Sequence, residues 1–70
     1  MKIEKYKVGD RIRILERYRR GRGIPILDRI GEEYTISSIT GTEIWFNNGW
    51  FCIDFADGDK IEIVKPSKLS

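Results

Sequence analysis

The stretch EIWFNNGWFCIDF, residues 43 to 55, constrains the fold more than any other part of the chain. Asn48-Gly49 between two apolar runs is a hairpin signal, because a type I′ turn needs positive φ at both central residues. With that pair as the loop, Asn47 faces Trp50, Phe46 faces Phe51, Trp45 faces Cys52 and Ile44 faces Ile53. Directly opposed residues of an antiparallel pair share a face. One face then carries Ile44, Phe46, Phe51, Ile53 and, one step on, Phe55. The other carries Glu43, Trp45, Asn47, Trp50, Cys52 and Asp54. This register sorts the segment into an apolar face and a mixed one, which supports it.

Period two governs the rest of the chain as well. In KVGDRIRIL, Val8, Ile12 and Ile14 share one parity and Arg11 and Arg13 take the other, the pattern of a half-buried strand, with Gly9-Asp10 as a turn or bulge before it. Gly21, Gly23 and Pro25 argue against any regular element in the loop that follows. YTISSI, 34 to 39, is rich in β-branched residues and predicts a second strand. ADGD, 56 to 59, predicts a tight turn with one short helical turn near it, and KIEIV a last strand with Ile61 and Ile63 on one side. No window holds a 3.6-residue apolar period. The expectation is an all-β domain of five strands over residues 1–64 and a short tail at 65–70. At 70 residues there is room for one core, and folding hides only about 60% of the surface of so short a chain.

These elements, from Lys7 to Val64, resemble the SH3-like β-barrels, and most closely the compact SH3-like proteins of bacteria and their phages. The shared pattern is GDxIxI, GxxYTI, WF-x-NGW and IEIV. The resemblance implies that ERYRRGRGIPILDRIGEE takes the place of the long RT loop after the first strand. Asn48-Gly49 takes that of the distal hairpin between strands 3 and 4, and ADGD that of the helical turn before the last strand. VGDRIRI is weakly similar to the KOW group of barrels, without the glycine spacing expected after it. No ALYDY-like or SNY-like stretch is present, so proline-rich peptide binding is not implied.

Thirteen basic and eleven acidic residues give a net charge of +2 that hides a split. Met1 to Leu27 holds nine bases against three acids, while Asp28 to Val64 holds two bases against eight acids. Such asymmetry points to an interaction surface, or to charges satisfied within the molecule or between its copies. The single cysteine, Cys52, allows no intramolecular disulfide and fits a reducing compartment. The opening MKIEKYKVGD lacks the apolar stretch of a signal peptide, and no run approaches the roughly 20 apolar residues of a membrane span. The expectation is a cytoplasmic protein without a membrane partner.

Catalytic chemistry finds few residues to stand on. The chain has no histidine, so Cys52 lacks the usual activating base. Asp54, Asp57 and Asp59 do not make a calcium loop, because setting Gly58 at its sixth position puts Ile53 and Phe55 at the first and third. Gly21-Arg22-Gly23 lacks the third glycine and the helix of a phosphate-binding fingerprint. No catalytic residue, metal or cofactor is expected.

Binding surfaces are better marked. Arg17, Arg19, Arg20 and Arg22, with Tyr18 among them, form ERYRRGRGIP, and arginine grips phosphate or carboxylate bidentately and stacks on flat rings. The other arrangement open to them is pairing with Asp28, Glu32 or Glu33. Trp45 and Trp50 fall opposite the expected core, as a stacking platform or as a second small core under the folded-back loop. Ile24, Pro25, Ile26 and Leu27 are apolar, to cap the barrel or to associate with another copy. The reading is a non-catalytic module that binds a phosphate-bearing ligand, most simply nucleic acid, through Arg17, Arg19, Arg20 and Arg22, with Tyr18, Trp45 and Trp50 stacking. The alternative that the family resemblance implies is a phage-type accessory or counter-defence protein. It inhibits a host protein or sequesters a nucleotide signal, as a homo-oligomer. A third reading is a purely structural subunit, assembled through the basic and acidic halves.

Overall fold

The computed structural model of the protein describes residues 5–19 and 22–67. It is all-β: β1 (Arg11–Glu16), β2 (Glu33–Thr40), β3 (Glu43–Phe46), β4 (Phe51–Asp54) and β5 (Lys60–Lys65), with a 3-10 turn at Phe55–Asp57 between the last two. The strands form one antiparallel sheet in the order β4-β3-β2-β1-β5, so β4 and β5 are its two ends. No helix of the described residues is long and apolar enough to cross a membrane.

The core follows from alternation. Ile12 and Ile14 of β1 are fully buried, and they stand opposite Ile63 and Ile61 of β5. Ile44, Phe46 and Ile53 from β3 and β4 join them, with Tyr6, Tyr34 and Ile36, and Phe51 and Phe55 pack at the margin. Val8 departs from the period-two reading: it is 53% exposed rather than a member of the inward row. The cause is the turn that precedes β1. Gly9 has φ 96, the Asp10 amide donates to the Lys7 carbonyl at 3.0 Å, and the Asp10 carboxylate accepts the Lys7 amide at 2.9 Å, which leaves Val8 at a turn tip.

β2 carries a feature that alternation alone does not show. Ile36 pairs with Phe46 and Ser38 with Trp45, so Ser37 is an inserted residue, and its hydroxyl donates to the Trp45 carbonyl at 3.0 Å. A bulge flips the parity of everything after it. Tyr34 and Ile36 face the core before Ser37, and Ile39 packs against it afterwards.

β3 and β4 hold Glu43 opposite Asp54, Ile44 opposite Ile53, Trp45 opposite Cys52 and Phe46 opposite Phe51. Asn48 and Gly49 have φ 60 and 88, and Asn47 has φ 51. Asn47 and Trp50 therefore leave the ladder instead of facing each other in it, and the Phe46 carbonyl accepts from both the Gly49 and Trp50 amides. This is a four-residue connection, and it swings Trp50 out of strand alternation.

Two buried carboxylates fasten segments outside the strands to the sheet. Asp10, 3% exposed, accepts the Ser67 amide at 2.6 Å as well as that of Lys7, so the residues after β5 are tied back to the start of β1. Asp59 accepts the amides of Tyr18 at 2.8 Å and Asp54 at 3.0 Å, linking the loop after β1 to the end of β4. A buried carboxylate is tolerable when backbone N–H groups occupy its oxygens, as here.

Candidate ligand-binding surface

The segment between β1 and β2 is more regular than its glycines and proline suggest. Tyr18 pairs with Pro25 in an isolated antiparallel bridge, flanked by bonds from the Arg19 amide to the Ile24 carbonyl and from the Ile26 amide to the Arg17 carbonyl, both 2.8 Å. Pro25 fits because the ribbon asks no N–H of it. The chain then turns through Leu27 to Gly31 and rejoins β1, with the Gly31 amide on the Ile14 carbonyl at 2.8 Å.

That geometry separates the loop residues by role. Arg17 is held down. Its guanidinium lies 4.7 Å from the Phe51 ring centre, donates to the Asp28 carbonyl at 2.8 Å, and stands 3.8 Å from the Asp28 carboxylate. Tyr18 is held as well: its hydroxyl donates to Glu16, its amide to Asp59, and its ring closes against Gly58. The Glu16 hydrogen bond, then burial, push its phenol above the usual tyrosine range. Arg19 and Arg22 point to solvent. Arg20 lies outside the described residues.

Trp50 and Trp45 part company. Trp45 is half-buried opposite Cys52 and beside the bulge at Ser37. Trp50 is 59% exposed, yet its ring is anchored by Tyr34 at 6.1 Å and Phe51 at 6.0 Å between centres. Arg29 completes the group. Its guanidinium is 4.5 Å from the Trp50 ring centre and 5.6 Å from that of Phe51, a cation–π arrangement against two rings.

Arg29 is fixed by its neighbours rather than free to swing. It donates to the Tyr34 hydroxyl at 3.2 Å and lies 3.6 Å from each of Asp28 and Glu32. The Tyr34 hydroxyl in turn donates to Glu32. The bond with Tyr34 raises the guanidinium pKa further, while burial, and then the Glu32 bond, push the Tyr34 phenol up. Trp50, Phe51, Tyr34, Arg17 and Arg29 thus form one ordered aromatic–guanidinium cluster. Sequence reading found Trp50 and Arg17 but not Arg29, which stands alone among Asp28, Glu32 and Glu33 and looks neutralised there. Its signal lies in three dimensions, in the left-handed turn (φ 68) that brings it over Trp50.

Much of the charge split is answered inside the sheet. Arg13 bonds Glu62 at 2.6 Å and Glu33 at 3.1 Å, Arg11 lies 3.7 Å from Glu33, and Lys60 lies 3.7 Å from Glu16. Among the described residues, no cluster of three or more acidic, cysteine or histidine side chains is arranged to hold a metal ion. Comparison of the chain with protein-family models, with curated proteins and with solved structures yields no match.

Proposed function

We propose that the protein is a small non-catalytic binding module of the SH3-like kind. Its ligand bears phosphate and is, most simply, nucleic acid. Supporting the first part are the single sheet of five antiparallel strands, the long connection after β1 and the 3-10 turn before β5, all of which accord with the sequence pattern. The observation that carries the second is Trp50, a largely exposed indole held against Arg29 and Phe51. An anchored aromatic with one guanidinium behind it offers a stacking surface at little entropic cost. Arg19 and Arg22, with Arg20 between them, supply phosphate contacts, and Arg17 and Arg29 shape the platform. Tyr18 and Trp45 support the sheet and the loop.

Replacing Arg19, Arg20 and Arg22 by alanine tests this reading. With three phosphate contacts the wild type should lose affinity with a log–log salt slope of roughly −2 to −3, and the triple variant should lose most of that dependence. Equal affinity and slope in the two proteins contradict the reading.

One observation favours a second reading, a protein partner with an acidic rim. Leu27 is 84% exposed and Ile24 49%, on the same loop as the arginines. Exposed apolar surface of that kind marks a protein interface better than a phosphate groove. An accessory protein that inhibits a host protein, as the alternative has it, would use this ridge. Loss of partner capture on Leu27→Asp, with oligonucleotide binding absent throughout, would favour it.

A further inference from the structure

A concavity of about 570 Å³ lies away from Trp50, between the residues that precede β1, the end of β1 and the 3-10 turn. Tyr6, Leu15, Phe55 and Ile61 give it an apolar wall, and Lys5 and Lys60 stand at it. The Tyr6 and Phe55 rings are 5.4 Å apart between centres and inclined by 33°. The Lys5 ammonium sits 5.2 Å from the centre of the Tyr6 ring. None of these residues belongs to the aromatic–guanidinium cluster, so this is a separate surface.

We infer that this groove binds a small aromatic carboxylate. Its volume lies in the range of about 300–1,000 Å³ usual for small-molecule sites, which are mostly apolar with a few placed polar groups. The charge it offers is positive. Among the described residues Asp59 is the acid in its lining, and both of its oxygens are engaged by the Tyr18 and Asp54 amides. Lys60 meets Glu16 at 3.7 Å, with its side chain 65% exposed, a loose pair from which the ammonium turns readily to a bound anion. An aromatic ring placed on Phe55 and Leu15 shares the groove with Lys5 and Lys60, whose ammonium groups are the cations its carboxylate would meet. A neutral ring compound fills the same space and gains no charge interaction with either ammonium group. Lysines present point charges without the planar fork that grips phosphate, which sets this groove apart from the arginine loop in ligand class.

Titration of the ¹⁵N-labelled protein with phenylacetate, and in parallel with its neutral isostere phenylacetamide, tests the inference. Phenylacetate should shift the amides of Tyr6, Leu15, Phe55 and Ile61, with the amide binding about fivefold more weakly or worse. The Lys5→Gln, Lys60→Gln double variant, whose exchanged side chains are exposed, should keep the wild-type spectrum and bind the acid no better than the amide. Trp50→Ala should bind phenylacetate as the wild type does, which separates this site from the oligonucleotide surface. Equal affinity for acid and amide, shifts centred on Trp50 and Phe51, or no shift at millimolar probe would each overturn it.

Discussion

Asp59 joins two segments that are distant in sequence. Its two oxygens hold the Tyr18 amide and the Asp54 amide, and so fix the loop after β1 against the end of β4. Asn at this position keeps one acceptor and turns an NH₂ towards a backbone N–H. Asp59→Asn should therefore cost about 1–3 kcal/mol, read as a lowered urea midpoint with an unchanged slope. A midpoint within error of wild type would show that the clamp adds nothing. Tyr34 makes a second residue-scale case through its pH dependence. Its phenol is raised by burial and by Glu32, so the folded state keeps the proton that the unfolded chain gives up near pH 10. The stability this contributes is present below that pH and is lost as pH rises through the folded value. Tyr34→Phe should flatten the fall in unfolding free energy above about pH 10 relative to wild type. Parallel curves for the two proteins would contradict the assignment.

At the scale of elements, the loop between β1 and β2 is the part whose order matters most to the proposed binding. The bonds from the Arg19 amide to Ile24 and from the Ile26 amide to Arg17 make its base a ribbon. Hydrogen exchange should show those two amides protected relative to that of Gly23; exchange at free-peptide rates would mean that the ribbon does not persist in solution. The ribbon also shows where sequence reading stops. Glycine and proline mark local preference, and here a backbone pairing that needs no N–H from Pro25 overrides it. The apolar faces of β1 and β3–β5 were legible because period two is a short-range property, and Ile12, Ile14, Ile44 and Ile53 express it directly. The bulge at Ser37, the left-handed Asn47 and the excursion of Val8 were not, since each depends on one backbone angle or one inserted residue rather than on a period. Trp50 is the costliest of these differences. Strand alternation assigns it to the face of Trp45, and one extra left-handed residue before Asn48-Gly49 moves it to Tyr34, Phe51 and Arg29.

At the scale of the molecule, opposite charges of the two halves meet within it, Arg13 with Glu33 and Glu62 on the sheet and Arg17 with Asp28 in the loop after β1. Exposed pairs of this kind are worth only about 0–1 kcal/mol each, so they order the surface more than they stabilise it. Arg19 and Arg22 lie outside that arrangement and remain open to a ligand. In the proposed function this loop and Trp50 serve one phosphate-bearing ligand. Trp45→Phe leaves Trp50 as the sole indole, so its fluorescence reports on that surface alone. The decisive measurement is a titration of this variant with single- and double-stranded oligonucleotides at low and moderate salt. Trp50 emission should be quenched at low salt, and the quenching should weaken steeply as salt is added. Unchanged Trp50 emission at low salt with both kinds of oligonucleotide would contradict it.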